Sequence, residues 1–190
     1  MVAWNGSTGF YGVNPQDIGL KVNGVALADP SANLLPGIYD LTVSNPKLTL
    51  NQPTLVVTDF EDPQDYAGKV VLKPAVQAEL RQATKARLAQ CLAMRKLSNP
   101  SCGINYQDKT YDGSTLEPGS LRCSQRSGRS ALDRLNFTVD GYAPTVAKAE
   151  LKAAIACTVS ATNGRGYEGD VSLYRVEVDL ASKPLEVTFS

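Results

Sequence analysis

A chain of 190 residues, 43% of them hydrophobic, is long enough to bury one or two cores. Its 19 basic and 19 acidic side chains cancel, so no net field draws it toward nucleic acid or an anionic membrane surface. Histidine is absent, which removes the commonest general base and the commonest metal ligand, and no apolar run approaches the roughly 20 residues of a membrane span.

Residues 1–17 are rich in Gly, Ser and Asn, with Trp4, Phe10 and Tyr11 among them, and read as an arm, a linker or a first strand. Met1 leads straight into Val-Ala-Trp-Asn-Gly, which is not a signal-peptide pattern. Leu20 to Leu27 alternates around Asn23-Gly24, the strongest short hairpin signal. Pro36-Gly37 turns into a strand from Ile38 to Val43, and Lys47–Leu50 and Thr54–Thr58 predict two more short strands. This makes a small all-β module, followed by an acidic connector at 59–68 and a short strand at Lys69–Leu72.

The one long helix is predicted over Ala75–Met94. Val76, Leu80, Ala83, Leu88, Cys91 and Leu92 recur at spacings of three and four, and Pro74 suits the first turn. Arg95 and Lys96 then favour its C-terminal dipole, and Asn99-Pro100 ends the run. Leu97 to about Arg129 is irregular by composition, and a loop of that length in a compact domain is expected to be tethered, bound or functional. The last third reads as strands: Leu135–Asp140, Thr145–Ala149, Leu151–Ala161, Val171–Leu180 and Leu185–Phe189. Alanine-rich 147–161 fits helix or strand by periodicity, and Thr158-Val159-Ser160 tips it to strand. The expected class is α+β, a small all-β module at 1–68 and then, at 69–190, one long helix packed on a curved antiparallel sheet.

The four cysteines are Cys91, Cys102, Cys123 and Cys157. No two are spaced as in a zinc ribbon or a CxxC redox motif, which leaves two disulfides or four buried thiols. Of the three pairings, Cys91 with Cys102 and Cys123 with Cys157 is favoured. The first staples the helix end to the following loop and is worth about 2 to 3 kcal/mol by loop entropy. Oxidised pairs put the chain outside the cytoplasm, with a targeting segment expected upstream of Met1.

Two stretches resemble a known arrangement. Val22-Asn23-Gly24, Leu35-Pro36-Gly37-Ile38-Tyr39 and Leu48–Val57 are similar to PEGA-like β modules of actinobacterial surface proteins. Leu72-Lys73-Pro74, the helix ending in Cys91, and Leu97-Ser98-Asn99-Pro100-Ser101-Cys102 resemble the domain that follows such modules. In place of the proline and aromatic of that pattern, Gly103-Ile104-Asn105 follows the second cysteine. The resemblance implies a cystatin/NTF2-like shape for the α+β domain. It also implies a membrane-anchored ectodomain on the cell surface, tethered by a helix upstream of this chain, with no catalytic residues to transfer.

Chemistry finds little support in the pattern. A serine nucleophile needs an activating base, and no S-x-x-K opens a helix, so an enzyme is not expected. Asp59, Glu61, Asp62 and Asp65 lack an EF-hand spacing and read as a solvated linker, and no metal or cofactor is expected. Gly164-Arg165-Gly166-Tyr167-Glu168-Gly169 lacks the terminal G-K-S/T of a phosphate loop and reads as a hairpin. The basic residues Arg122, Arg126, Arg129 and Arg134 read as a solvated face. The candidate partner-binding residues are Tyr106, Tyr111, Tyr142 and Tyr167, because loop tyrosines offer large, stiff, amphipathic area. The expected role is a non-enzymatic interaction or structural module of the cell envelope that meets a protein or a cell-wall component. The alternative is a binder of a small apolar or envelope-derived ligand in a pocket between helix and sheet.

Overall fold

The computed structural model describes residues 2–4, 15–27, 32–58, 68–139 and 144–190. Those residues form an α+β arrangement of mostly antiparallel sheets and three helices. They divide into two compact units: Met1–Gln77 with Thr138–Ala147, and Ala78–Phe137 with Lys148–Ser190.

In the first unit, β1 (Val2–Trp4), α1 (Pro15–Ile18), β2 (Leu20–Val22) and β3 (Val25–Ala26) precede β4 (Ala32–Leu34), β5 (Gly37–Val43), β6 (Leu48–Leu50), β7 (Thr54–Val57) and β8 (Val70–Leu72). Four of them form a sheet in the order β3-β2-β5-β7, while β1 pairs β4 and β6 pairs β8. Asn23 and Gly24 both take positive φ, 46° and 81°, as the tight β2–β3 turn requires. Asn23 also ties that turn to β5, its N–H donating to the Asp40 carbonyl at 2.8 Å and its Oδ1 accepting the Asp40 N–H at 2.8 Å. Leu20, Val22, Leu41, Leu55 and Val57 are buried on one face, each followed by a more exposed residue, as period-2 strands dictate.

The second unit takes most of α2 (Val76–Ala93) and then β9 (Ser98–Asn99), β10 (Ile104–Asn105), β11 (Arg122–Gln125) and α3 (Arg129–Asp133). After β12 (Thr138–Val139) come β13 (Val146–Ser160), β14 (Gly166–Asp179) and β15 (Glu186–Phe189). Along α2 the buried residues of this unit are Leu80, Thr84, Leu88 and Cys91. Thr84 lies where the sequence pattern favours Ala83, and its hydroxyl donates to the Leu80 carbonyl at 2.8 Å, so no polar group is orphaned. The helix closes at Ala93, so Arg95 and Lys96 lie beyond its last turn, and Asn99 ends the first strand of a small β9–β10 hairpin, with Pro100 entering its turn.

The alanine-rich stretch is strand, and the two strands expected at 145–161 are one. Ala147, Ala149, Leu151, Ala153, Ile155, Cys157 and Val159 are all buried while their neighbours are not. The sheet order is β11-β13-β14-β15, with β12 also on β13. In β14 the alternation slips: Leu173 and Val176 are buried, with exposed Tyr174 and Arg175 between them. The N–H groups of Tyr174 and Arg175 both donate to the Ser190 carbonyl at 2.8 Å, two residues against one. That is a β-bulge, which bends a strand and raises its twist, in keeping with a sheet curled into a half-barrel.

Candidate functional site

The stretch from Leu97 to Arg129, irregular by composition, is held at both of its cysteines. Cys91 is bonded to Cys102, and Cys123 to Cys157, directly opposite it on the neighbouring strand. Cys91 and Cys102 are wholly buried. Two disulfides fit an oxidising, extracellular setting.

Between its anchors the chain makes a second hairpin. The Leu116 N–H donates to the Asp108 carbonyl at 2.8 Å, and the Thr110 N–H to the Ser114 carbonyl at 2.9 Å, with Tyr111-Asp112-Gly113 at the tip. This hairpin is bound to the β13–β14 turn. The Glu117 N–H reaches the Ser160 carbonyl at 2.8 Å, and the Thr162 N–H reaches the Thr115 carbonyl at 2.9 Å. Asp112 fastens the tip: its carboxylate accepts from the Thr110 hydroxyl, the Ser114 N–H at 3.1 Å, the Tyr167 hydroxyl at 2.9 Å and the Arg165 guanidinium at 3.3 Å. The Thr110 hydroxyl first, then the Ser114 N–H and the Tyr167 hydroxyl, hold its carboxyl pKa well below the usual carboxylate range.

Three of the four candidate tyrosines therefore meet at one end of the β13–β14 hairpin, in different roles. Tyr111 is fully exposed at the tip. Tyr167 spends its hydroxyl on Asp112. Tyr106 is half-buried over Gly169, where a Cβ would stand 2.8 Å from the phenol oxygen, so a side chain there would make the Tyr106 hydroxyl shift. Burial, and secondarily the charge of Asp170, push the Tyr106 phenol above its ordinary value. Tyr142 and the acidic group Asp59, Glu61, Asp62 and Asp65 lie outside the described residues.

The basic residues are dispersed among local partners. Arg122 donates to the Gly119 and Leu121 carbonyls, Arg126 pairs with Asp170, and Arg134 reaches Ser130. The stretch at 164–169 enters β14 from a tight turn, in which the Gly164 N–H donates to the Ala161 carbonyl at 2.9 Å. Asp112 and Arg165 are the functional-looking residues that pattern reading missed; the only signal was Asp112-Gly113, a turn pair. Among the described residues no group of three or more Cys, Asp or Glu is placed to hold a metal, and no helix is long and apolar enough to cross a membrane.

A separate cleft of about 850 Å³ runs between α2 and the Ser182–Val187 segment that leads into β15. No protein family, curated protein or solved structure matches the chain.

Proposed function

We propose that this chain is a non-enzymatic extracytoplasmic domain of a membrane-anchored cell-envelope protein, an interaction module that meets a partner through the 103–121 loop. In its finer shape we assign a PEGA-like β module at 1–68 and a cystatin/NTF2-like α+β domain at 69–190, as the sequence resemblance implies. The observation that carries the reading is the fastening of a long, Tyr-bearing loop by two disulfides and one carboxylate, which leaves Tyr111 exposed at the tip. A side chain held out on a stiff loop loses little entropy when it is covered, which favours recognition over a merely solvated turn.

The test uses the oxidised chain in cosedimentation with purified cell-wall sacculi and in binding to solubilised envelope proteins. Tyr111→Ala is expected to weaken whichever association is found by about tenfold, the effect of a modest interface anchor. Unfolding of that variant is expected to match the parent, because Tyr111 is fully exposed. Association that survives Tyr111→Ala unchanged would remove the loop from the interface.

A further inference from the structure

We propose that the cleft between α2 and the outer edge of β15 binds an extended peptide ending in a free carboxylate, which joins the sheet as a strand parallel to β15. The cleft lies within the second unit and does not depend on the tyrosine-bearing loop.

Among the described residues β15 is the last strand of its sheet, so its main-chain groups away from β14, apart from those at Phe189, have no strand beside them. The Phe189 N–H points outward, donating to the Ser101 carbonyl at 3.0 Å. Successive residues of a strand point their main-chain groups to opposite sides, so those of Val187 point outward too, and no described residue hydrogen-bonds to them there. The edge already accepts a strand at one position: Cys102 bridges Phe189 in parallel sense. A peptide entering upstream would continue that short segment in the same direction and complete the edge by strand addition.

The helix supplies the opposite wall. Ala83 and Ala86 face the cleft with single methyl groups, leaving room along its length. The Cys91–Cys102 disulfide and the Cys102–Phe189 bridge draw the C-terminal ends of α2 and β15 together and close the cleft at that end. There Arg87 donates to the Ser101 hydroxyl at 2.6 Å and to the Gln90 side-chain oxygen at 3.3 Å, and among the described residues it meets no carboxylate. It is a half-buried cation with neutral partners only. A strand parallel to β15 brings its C-terminus to Ser101 and Arg87, where a carboxylate gains a charge-assisted hydrogen bond. The other end carries Glu79, Glu186 and Lys183, a mixture that sets no sign of its own.

The probe is a random heptapeptide library with free C-terminal carboxylates, panned on the full oxidised chain. Selected peptides are resynthesised with a fluorophore as free acids and as amides, and their affinities read by anisotropy. Amidation and Arg87→Gln are each expected to weaken binding about tenfold or more, and Ala86→Trp to abolish it by filling the cleft. Tyr111→Ala is expected to leave it unchanged. Because amidation alters only the ligand, its readout stands even where a variant folds poorly. Failure to enrich any peptide, equal binding of acids and amides, or loss only in Tyr111→Ala would overturn the proposal. So would a concentration-dependent dimer that Ala86→Trp dissolves, since the occupant would then be a second copy.

Discussion

Asp112 is exposed, yet it is the most heavily bonded carboxylate described, and its acidity follows from those bonds rather than from burial. Asp133 is lowered in the same sense by Lys85, and Asp179 by the Ser182 hydroxyl and the Ala181 N–H. A group more acidic when folded contributes stability that is fully present above the unfolded value of about 3.9 and is lost as pH falls through the folded value. Urea midpoints are therefore expected to hold level from neutrality to about pH 5 and to fall below about pH 4. Asp112→Asn should remove part of that acid slope; an unchanged slope would deny the carboxylate its role. Tyr106 has the opposite sense: its raised phenol favours the neutral form, so its contribution is present below about pH 10 and lost as pH rises through the folded value. The turn at Asp112-Gly113 is legible in the sequence, but the Tyr167 hydroxyl that seals it comes from 55 residues away, a separation over which no local pattern operates.

At the scale of elements, β13 and β14 decide the second unit. The period-2 run of β13 is visible in the text, even though alanine, a strong helix former, fills several inward positions; seven buried residues on one face outweigh that propensity. The strand at Val171–Leu180 is expected from the sequence, but the bulge at Tyr174–Arg175 is not, because it is made by hydrogen bonds to Ser190 on another strand. α3 has no strong signal, being five residues long and entered from Gly128 in the left-handed conformation, φ 84°. A Cβ at Gly128 would stand 2.6 Å from the Ala153 Cβ, whereas Gly164, φ 83°, faces open space. Gly164→Ala is thus expected to cost only backbone strain, about 1 kcal/mol, and Gly128→Ala about 2 to 3 kcal/mol, since β13 must also give way. Equal losses in chemical denaturation would show that the close approach to β13 carries no weight.

For the molecule as a whole, the two disulfides close loops of different length, with sequence separations of 11 and 34. Loop entropy then predicts a loss of about 3 kcal/mol on removing Cys91–Cys102 by paired alanine substitution, and about 4 kcal/mol on removing Cys123–Cys157. A reversed order would place the stabilisation in the packing of the wholly buried Cys91 and Cys102 rather than in the denatured chain. The text alone determined the α+β class, the Asn23-Gly24 hairpin, the core positions Val76, Leu80, Leu88 and Cys91 of α2, though Thr84 is buried in place of Ala83 and Leu92 is only half-buried, and a favoured cysteine pairing that the structure contains. Each of these is encoded by neighbours in sequence, or, for the cysteines, by the few ways four residues can pair. Only the tertiary structure gathers Thr138–Ala147 with the first unit, seals the Tyr111 tip through Asp112, and opens a cleft beside the edge of β15. These depend on which distant backbone groups end up without a strand partner and which charges meet, a matter of three-dimensional closure that periodicity along the chain does not carry.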